Sequence, residues 1–131
     1  MRIVLDASAA IEAGFRRGGG SRFVPLLEDA EEVLSPDIFV AEVVNTVWKF
    51  HRFGNLELDL CEEGMERTLG LPDQLMSSRE LYREAFHLAR LLQHSVYDML
   101  YLALARREDA LLLSADQTLR REAKRQGIRT A

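Results

Sequence analysis

Residues 96–105, VYDMLYLALA, form a helical run that is apolar nearly all the way round, with Asp98 as its only formal charge. A helix of that composition is normally buried. Burying an unpaired carboxylate is costly, so Asp98 has to be protonated, paired or bound to a cation. Arg106, Arg107, Glu108 and Asp109 separate the run from residues 110–113, a short apolar stretch that reads as a buried strand. Ser114, Ala115 and Asp116 follow at once. A core helix carrying one acid therefore leads into a strand that ends in another. In open α/β sheets, sites form outside the carboxyl ends of the strands.

The rest of the chain repeats this grammar. Arg2-Ile3-Val4-Leu5 reads as a buried parallel strand with Asp6 at its carboxyl end, and residues 7–13 fit a short helix. Gly18-Gly19-Gly20 is a break expected in an exposed loop. It lacks the spacing and the lysine of a phosphate-binding loop. Residues 22–30 suit a helix with Pro25 in its first turn, and residues 32–34 a second strand ended by Ser35-Pro36. Pro36 or Asp37 opens a long helix to about Phe53, stopped by Gly54-Asn55. An amphipathic helix over residues 56–69, a short third strand within 71–76 and a helix from Ser77 or Ser78 to about Leu92 come next. After residues 110–113, a last helix reaches Gln126 with Gly127 as its cap, and residues 128–130 are a candidate edge strand. Alternating strands and helices predict a parallel sheet covered on both faces. Nothing divides the 131 residues, so one domain is expected.

Composition narrows the function classes. No run approaches the roughly 18 apolar residues of a membrane span. The amino terminus is charged too early for a secretory signal. Cys61 is the only cysteine, so no internal disulfide can form, which fits a reducing cytoplasm. Without CxxC or paired histidines, a structural zinc site is disfavoured. The formal net charge of -4 argues against nucleic-acid binding by overall charge alone, but basic residues cluster locally around Arg16, Arg106 and Arg120–Arg129.

Three apolar segments each hold one isolated acid, Asp6, Glu42 and Asp98, and Asp116 ends a strand. If the first and fourth strands are neighbours, Asp6 and Asp116 meet, and helices packed over the same edge bring Glu42 and Asp98. Acids that close raise one another's pKa, and a divalent cation removes the conflict. All-oxygen ligation suits Mg²⁺ or Mn²⁺. Such ions polarise a phosphoryl oxygen and activate water. Each acid also has a structural alternative. Asp6 and Asp116 are well placed to cap the helices that follow them. Glu42 and Asp98 would instead need a buried arginine partner.

Four segments in this order resemble the PIN-domain ribonucleases, and among them the small VapC-type toxins. They are Val4-Leu5-Asp6-Ala7-Ser8, Ala41-Glu42-Val43-Val44-Asn45, residues 97–105 and Leu113-Ser114-Ala115-Asp116. The resemblance implies a Rossmann-like three-layer sandwich with strand order 3-2-1-4-5 and Mg²⁺- or Mn²⁺-dependent endoribonuclease activity. It carries Asp6, Glu42, Asp98 and Asp116 over as the catalytic, metal-holding acids, with Ser8, Asn45 and Ser114 supporting them. Asn45 shares a helix face with Glu42. Ser114 stands where the family usually has threonine, and the triple glycine is outside the common pattern. The resemblance further implies an RNA substrate, a homodimer and an antitoxin partner.

Rival readings are a PIN-type nuclease acting on DNA, a degenerate PIN domain that only binds, and a phospho-acceptor receiver module. The last needs an acidic pair around the first strand, an acceptor Asp at the third and a late lysine, but residues 71–76 offer only Asp73 and no lysine ends a late strand. His51, His87, His94 and Cys61 read as structural or surface residues. Tyr97, Tyr101, Phe39 and Trp48 read as core, with base stacking or a partner surface as alternatives. Arg120, Arg121, Lys124 and Arg125 read as a solvated helix face that could also meet phosphates near Asp116.

Overall fold

A computed structural model describes residues 1–16 and 22–131. The triple glycine lies outside the described residues. Among the described residues four strands, β1 (Arg2–Leu5), β2 (Glu32–Pro36), β3 (Gln74–Met76) and β4 (Leu111–Leu113), form a parallel sheet in the order β3-β2-β1-β4. Seven helices occupy the connections among the described residues: α1 (Ala7–Phe15), α2 (Val24–Asp29), α3 (Ile38–Gly54), α4 (Leu58–Leu69), α5 (Ser78–Leu92), α6 (Val96–Arg107) and α7 (Gln117–Arg125).

The central strands are apolar at almost every position because both faces of the sheet are covered. Their side chains alternate between two cores. Val4, Leu34 and Leu112 point to the layer of α5, α6 and α7. Ile3, Leu5, Val33, Leu111 and Leu113 point to the layer of α1, α3 and α4. The register, with Val4 opposite both Leu34 and Leu112, keeps each row on one face. The expected three-layer sandwich is therefore present.

Differences from the expectation are local. The fifth strand is reduced to a single parallel bridge between Leu112 and Thr130. Three hydrogen bonds flank it: Leu112 N–H to the Arg129 carbonyl, Ala131 N–H to the Leu112 carbonyl, and Ser114 N–H to the Ala131 carbonyl. Only Ile128 of that segment is anchored in the core, which is too little apolar surface to hold a longer strand. Ser35 and Pro36 belong to β2 and do not end it. The last helix closes at Gln126, and Gly127 follows with a φ of 74°. Helices α1 and α4 pack closely because of two glycines. A Cβ on Gly64 would lie 2.1 Å from the Phe15 ring, and one on Gly14 would lie 2.0 Å from Thr68 Oγ1. No helix among the described residues is long and apolar enough to cross a membrane.

Candidate active site

β1 and β4 are neighbours, so their carboxyl ends bring Asp6 and Ser114 side by side. Asp6 is buried and its carboxylate is held from three directions. Oδ1 accepts from the Ser8 hydroxyl at 2.7 Å and from the Ala9 N–H at 2.9 Å, and Oδ2 accepts from the Ser114 hydroxyl at 2.6 Å. Ser8 Oγ in turn accepts from the Ala115 N–H at 3.0 Å, and Ser114 Oγ from the Asp116 N–H at 3.0 Å. The two hydroxyls thus tie the start of α1 to the turn after β4, with Asp6 between them. Ser8 and Ser114 therefore both hydrogen-bond the Asp6 carboxylate.

The capping alternatives for Asp6 and Asp116 are also real. Asp6 caps α1 through the Ala9 N–H, and Asp116 Oδ1 caps α7 through the N–H groups of Thr118 and Leu119 at 2.9 and 3.2 Å. An N-terminal cap uses one carboxylate oxygen and places the other at the positive end of a helix.

Glu42, half-buried on α3, accepts a 2.6 Å hydrogen bond from the phenol of the buried Tyr101 on α6. Asp98 differs from expectation. It sits in the first turn of α6, three residues after the cap Ser95, and is half-buried, with Val96 and Tyr97 exposed beside it. The apolar run is buried on all sides only from Met99 onward. The uniform hydrophobicity of the run hides its exposed first turn, because hydrophobicity alone does not say where a helix leaves the core. Asp98 faces His94, with Nδ1 to Oδ2 at 3.3 Å. The Ser95 N–H also points at the same Nδ1, at 3.0 Å.

The arginine alternative for Glu42 and Asp98 fails among the described residues. Their ion-paired arginines go elsewhere: Arg2 to Glu32 and Glu108, Arg22 to Glu12, Arg106 to Glu84, Arg125 to Glu122, Arg129 to Asp109. Arg120 donates to the Ser114 carbonyl and not to an acid.

The electrostatics link the four acids in a ring. Burial pushes the Asp6 carboxyl up to about 6 against the pull of its three hydrogen bonds, and Asp116 adds to the rise. Glu42 is raised, first by burial and then by the charges of Asp98 and Asp6, and lowered by the Tyr101 phenol. Asp98 is raised by burial and by Asp116, and lowered by His94. Tyr101 is pushed far up by burial and by Glu42, so its phenol stays a proton donor. Among the described residues, no three His, Cys, Asp or Glu side chains are gathered into a ready-made metal shell. The acids share an electric field more than a common contact point. The donor chemistry is nevertheless all-oxygen and anionic, which fits a hard divalent cation.

Asn45 is exposed, and no hydrogen bond among the described residues joins its side chain to the acids. The sequence alone reads Tyr101 as core and His94 as a structural or surface residue. Tyr101 follows Asp98 by three residues and His94 precedes it by four, spacings that share a helix face. That spacing was a usable signal, but the link from Tyr101 to Glu42, 59 positions away, exists only in the fold.

Comparison with known proteins gives consistent results. The family model described as "PIN domain" matches residues 3–125. Ribonuclease VapC3 of Pyrobaculum aerophilum is 32% identical over 123 residues, covering 91% of this chain and 92% of that protein. The crystal structure of PAE2754 from Pyrobaculum aerophilum superposes with a TM-score of 0.78 at 19% identity, covering 99% of this chain and 92% of that one. VapBC2 from Rickettsia felis, bound to a DNA fragment from its promoter, matches with a TM-score of 0.67 at 14% identity, covering 100% and 98%. At those identities the structural likenesses speak for the fold.

Proposed function

Because the chain belongs to the PIN-domain family, we propose that residues 1–131 act as one domain, a Mg²⁺- or Mn²⁺-dependent endoribonuclease serving as the toxin of a toxin–antitoxin pair. One observation carries the reading. Burial and then neighbouring carboxylates, Asp116 among them, raise Asp6, Glu42 and Asp98 at one sheet edge, with no Lys or Arg pairing the four acids among the described residues. An arrangement that disfavours its own ionisation makes sense where a cation completes it.

Asp6, Asp98, Asp116 and Glu42 are the residues that would hold the ion. When bound, Mg²⁺ or Mn²⁺ supplies Lewis acidity toward a phosphoryl oxygen and lowers the pKa of water. Ser8 and Ser114 keep Asp6 in one rotamer, so its oxygens are aimed before substrate arrives. Tyr101 occupies Glu42 Oε1, which leaves Oε2 to orient the attacking water and take its proton. Attack in line with the leaving 3′ oxygen gives a 5′-phosphate and a 3′-hydroxyl.

The likeness to ribonuclease VapC3 supports RNA as substrate; an antitoxin partner and a cytoplasmic location belong to the same proposal. A groove of about 210 Å³ between α3 and α4, lined by Val44, Val47, Trp48, Leu58 and Met65 among others, offers such a partner, or a second copy in a homodimer, an apolar seat. The test is cleavage of end-labelled RNA and of DNA of the same sequence, in Mn²⁺ and in EDTA. Wild type should cut RNA only with metal, and Asp6→Asn should not cut. Intact RNA in Mn²⁺, or cutting that persists in EDTA, overturns the reading.

A further inference from the structure

Helix α5 presents an outward face that is both basic and aromatic. Leu81, Ala85 and Leu88 are buried, and at about 100° per residue the opposite side is centred on Arg79, Arg83 and Arg90. All three are exposed. Tyr82 and Phe86 border them, 54% and 55% exposed. The Arg83 guanidinium stacks 5.6 Å from the Tyr82 ring centre. The acids of this helix, Glu80 and Glu84, lie on the flank toward α6, where Glu84 is paired with Arg106. The outer side of α4 is the reverse, carrying Asp59, Glu62, Glu63 and Glu66. The chain's acidic net charge thus conceals a polarised surface.

We infer that the outward face of α5 is a track for single-stranded RNA leading to the acidic site. Two properties favour a nucleic acid. Guanidinium groups in a row complement phosphates, and exposed aromatic rings between them accept unpaired bases. From Arg79 to Arg90 the helix spans about 16 Å, enough for four or five phosphates at roughly 3.4 Å per stacked nucleotide. The track also has a direction. α5 ends at Leu92 with Gln93 as its cap, and the next residue, His94, lies 3.3 Å from Asp98. Tyr97, 60% exposed and adjacent to Asp98, is a stacking surface at the mouth of the site. A strand of RNA lying on α5 is delivered to the carboxylates at the end of its run.

The inference rests on the ribonuclease reading, and its test separates the two. Fluorescence anisotropy in EDTA measures binding of a labelled single-stranded RNA of about sixteen nucleotides without cleavage. Arg83→Ala/Arg90→Ala should weaken binding by at least about tenfold and flatten the slope of log Kd against log salt by about 1.4, at roughly 0.7 per phosphate contact. Tyr82→Ala/Phe86→Ala should weaken binding with little change in that slope. In Mn²⁺, both variants should cut a tetranucleotide, too short to reach along α5, at the wild-type rate, and cut the longer RNA more slowly. Unchanged affinity in both variants overturns the inference. So does light scattering that shows the variants to be monomers where wild type is a dimer, since the face then serves a second copy of the chain. Absence of cleavage by wild type would sink the nuclease reading and leave the binding measurement intact.

Discussion

Replacing Asp6 by asparagine should make the metal-free protein relatively more stable as pH rises. The buried carboxyl titrates near 6 in the native state against an ordinary 3.8. The native state therefore holds its proton more tightly than the unfolded chain, and stability falls as pH increases through that window. Below about pH 3.8 the group is protonated in both states and contributes no penalty. Above about pH 6 the full penalty applies, about 3 kcal/mol at 1.36 kcal/mol per pKa unit. Asparagine cannot ionise and escapes it. The amide keeps one acceptor oxygen for Ala9 or a serine, while its NH₂ must turn toward the other hydroxyl, a fixed cost of about 1 kcal/mol. Urea unfolding in EDTA at several pH values from 4 to 8 separates the two effects. The variant should lie slightly below wild type at pH 4 and overtake it by about 2 kcal/mol at pH 8. A difference between the two proteins that stays constant across this range refutes the argument that burial dominates the Asp6 environment.

Two further outcomes are expected. Asp98→Asn removes a charge that burial and Asp116 oppose and that only His94 favours, so the metal-free variant should melt within a few degrees of wild type while losing nearly all cleavage; a large drop in melting temperature would mean that a stabilising ion pair had been broken. Gly64→Ala forces a Cβ to within 2.1 Å of the Phe15 ring and should destabilise the protein by about 1–3 kcal/mol in urea titrations; an unchanged midpoint would show that α1 and α4 separate freely.

The fold class and the boundaries of most elements could be read from the residues alone, and the four acids could be singled out there. Unbroken apolar runs such as Ile3-Val4-Leu5 and Leu111-Leu112-Leu113 fit only strands covered on both faces, and an acid directly after such a run must lie at a strand end. Those are local properties, written at spacings of a few residues. The tertiary structure decided what depends on distant segments meeting. That Tyr101 holds Glu42, that Ser114 and Ser8 share Asp6, and that no arginine pairs with Glu42 or Asp98 among the described residues all depend on which strands and helices are neighbours. It also decided burial along a single helix. Residues 96–105 look alike in hydrophobicity, yet the first turn of α6 projects past the core, and Asp98 sits at that emergence. Periodicity states which residues tolerate burial. Only the packing of α5 against α6 and of both against the sheet determines which of them are granted it.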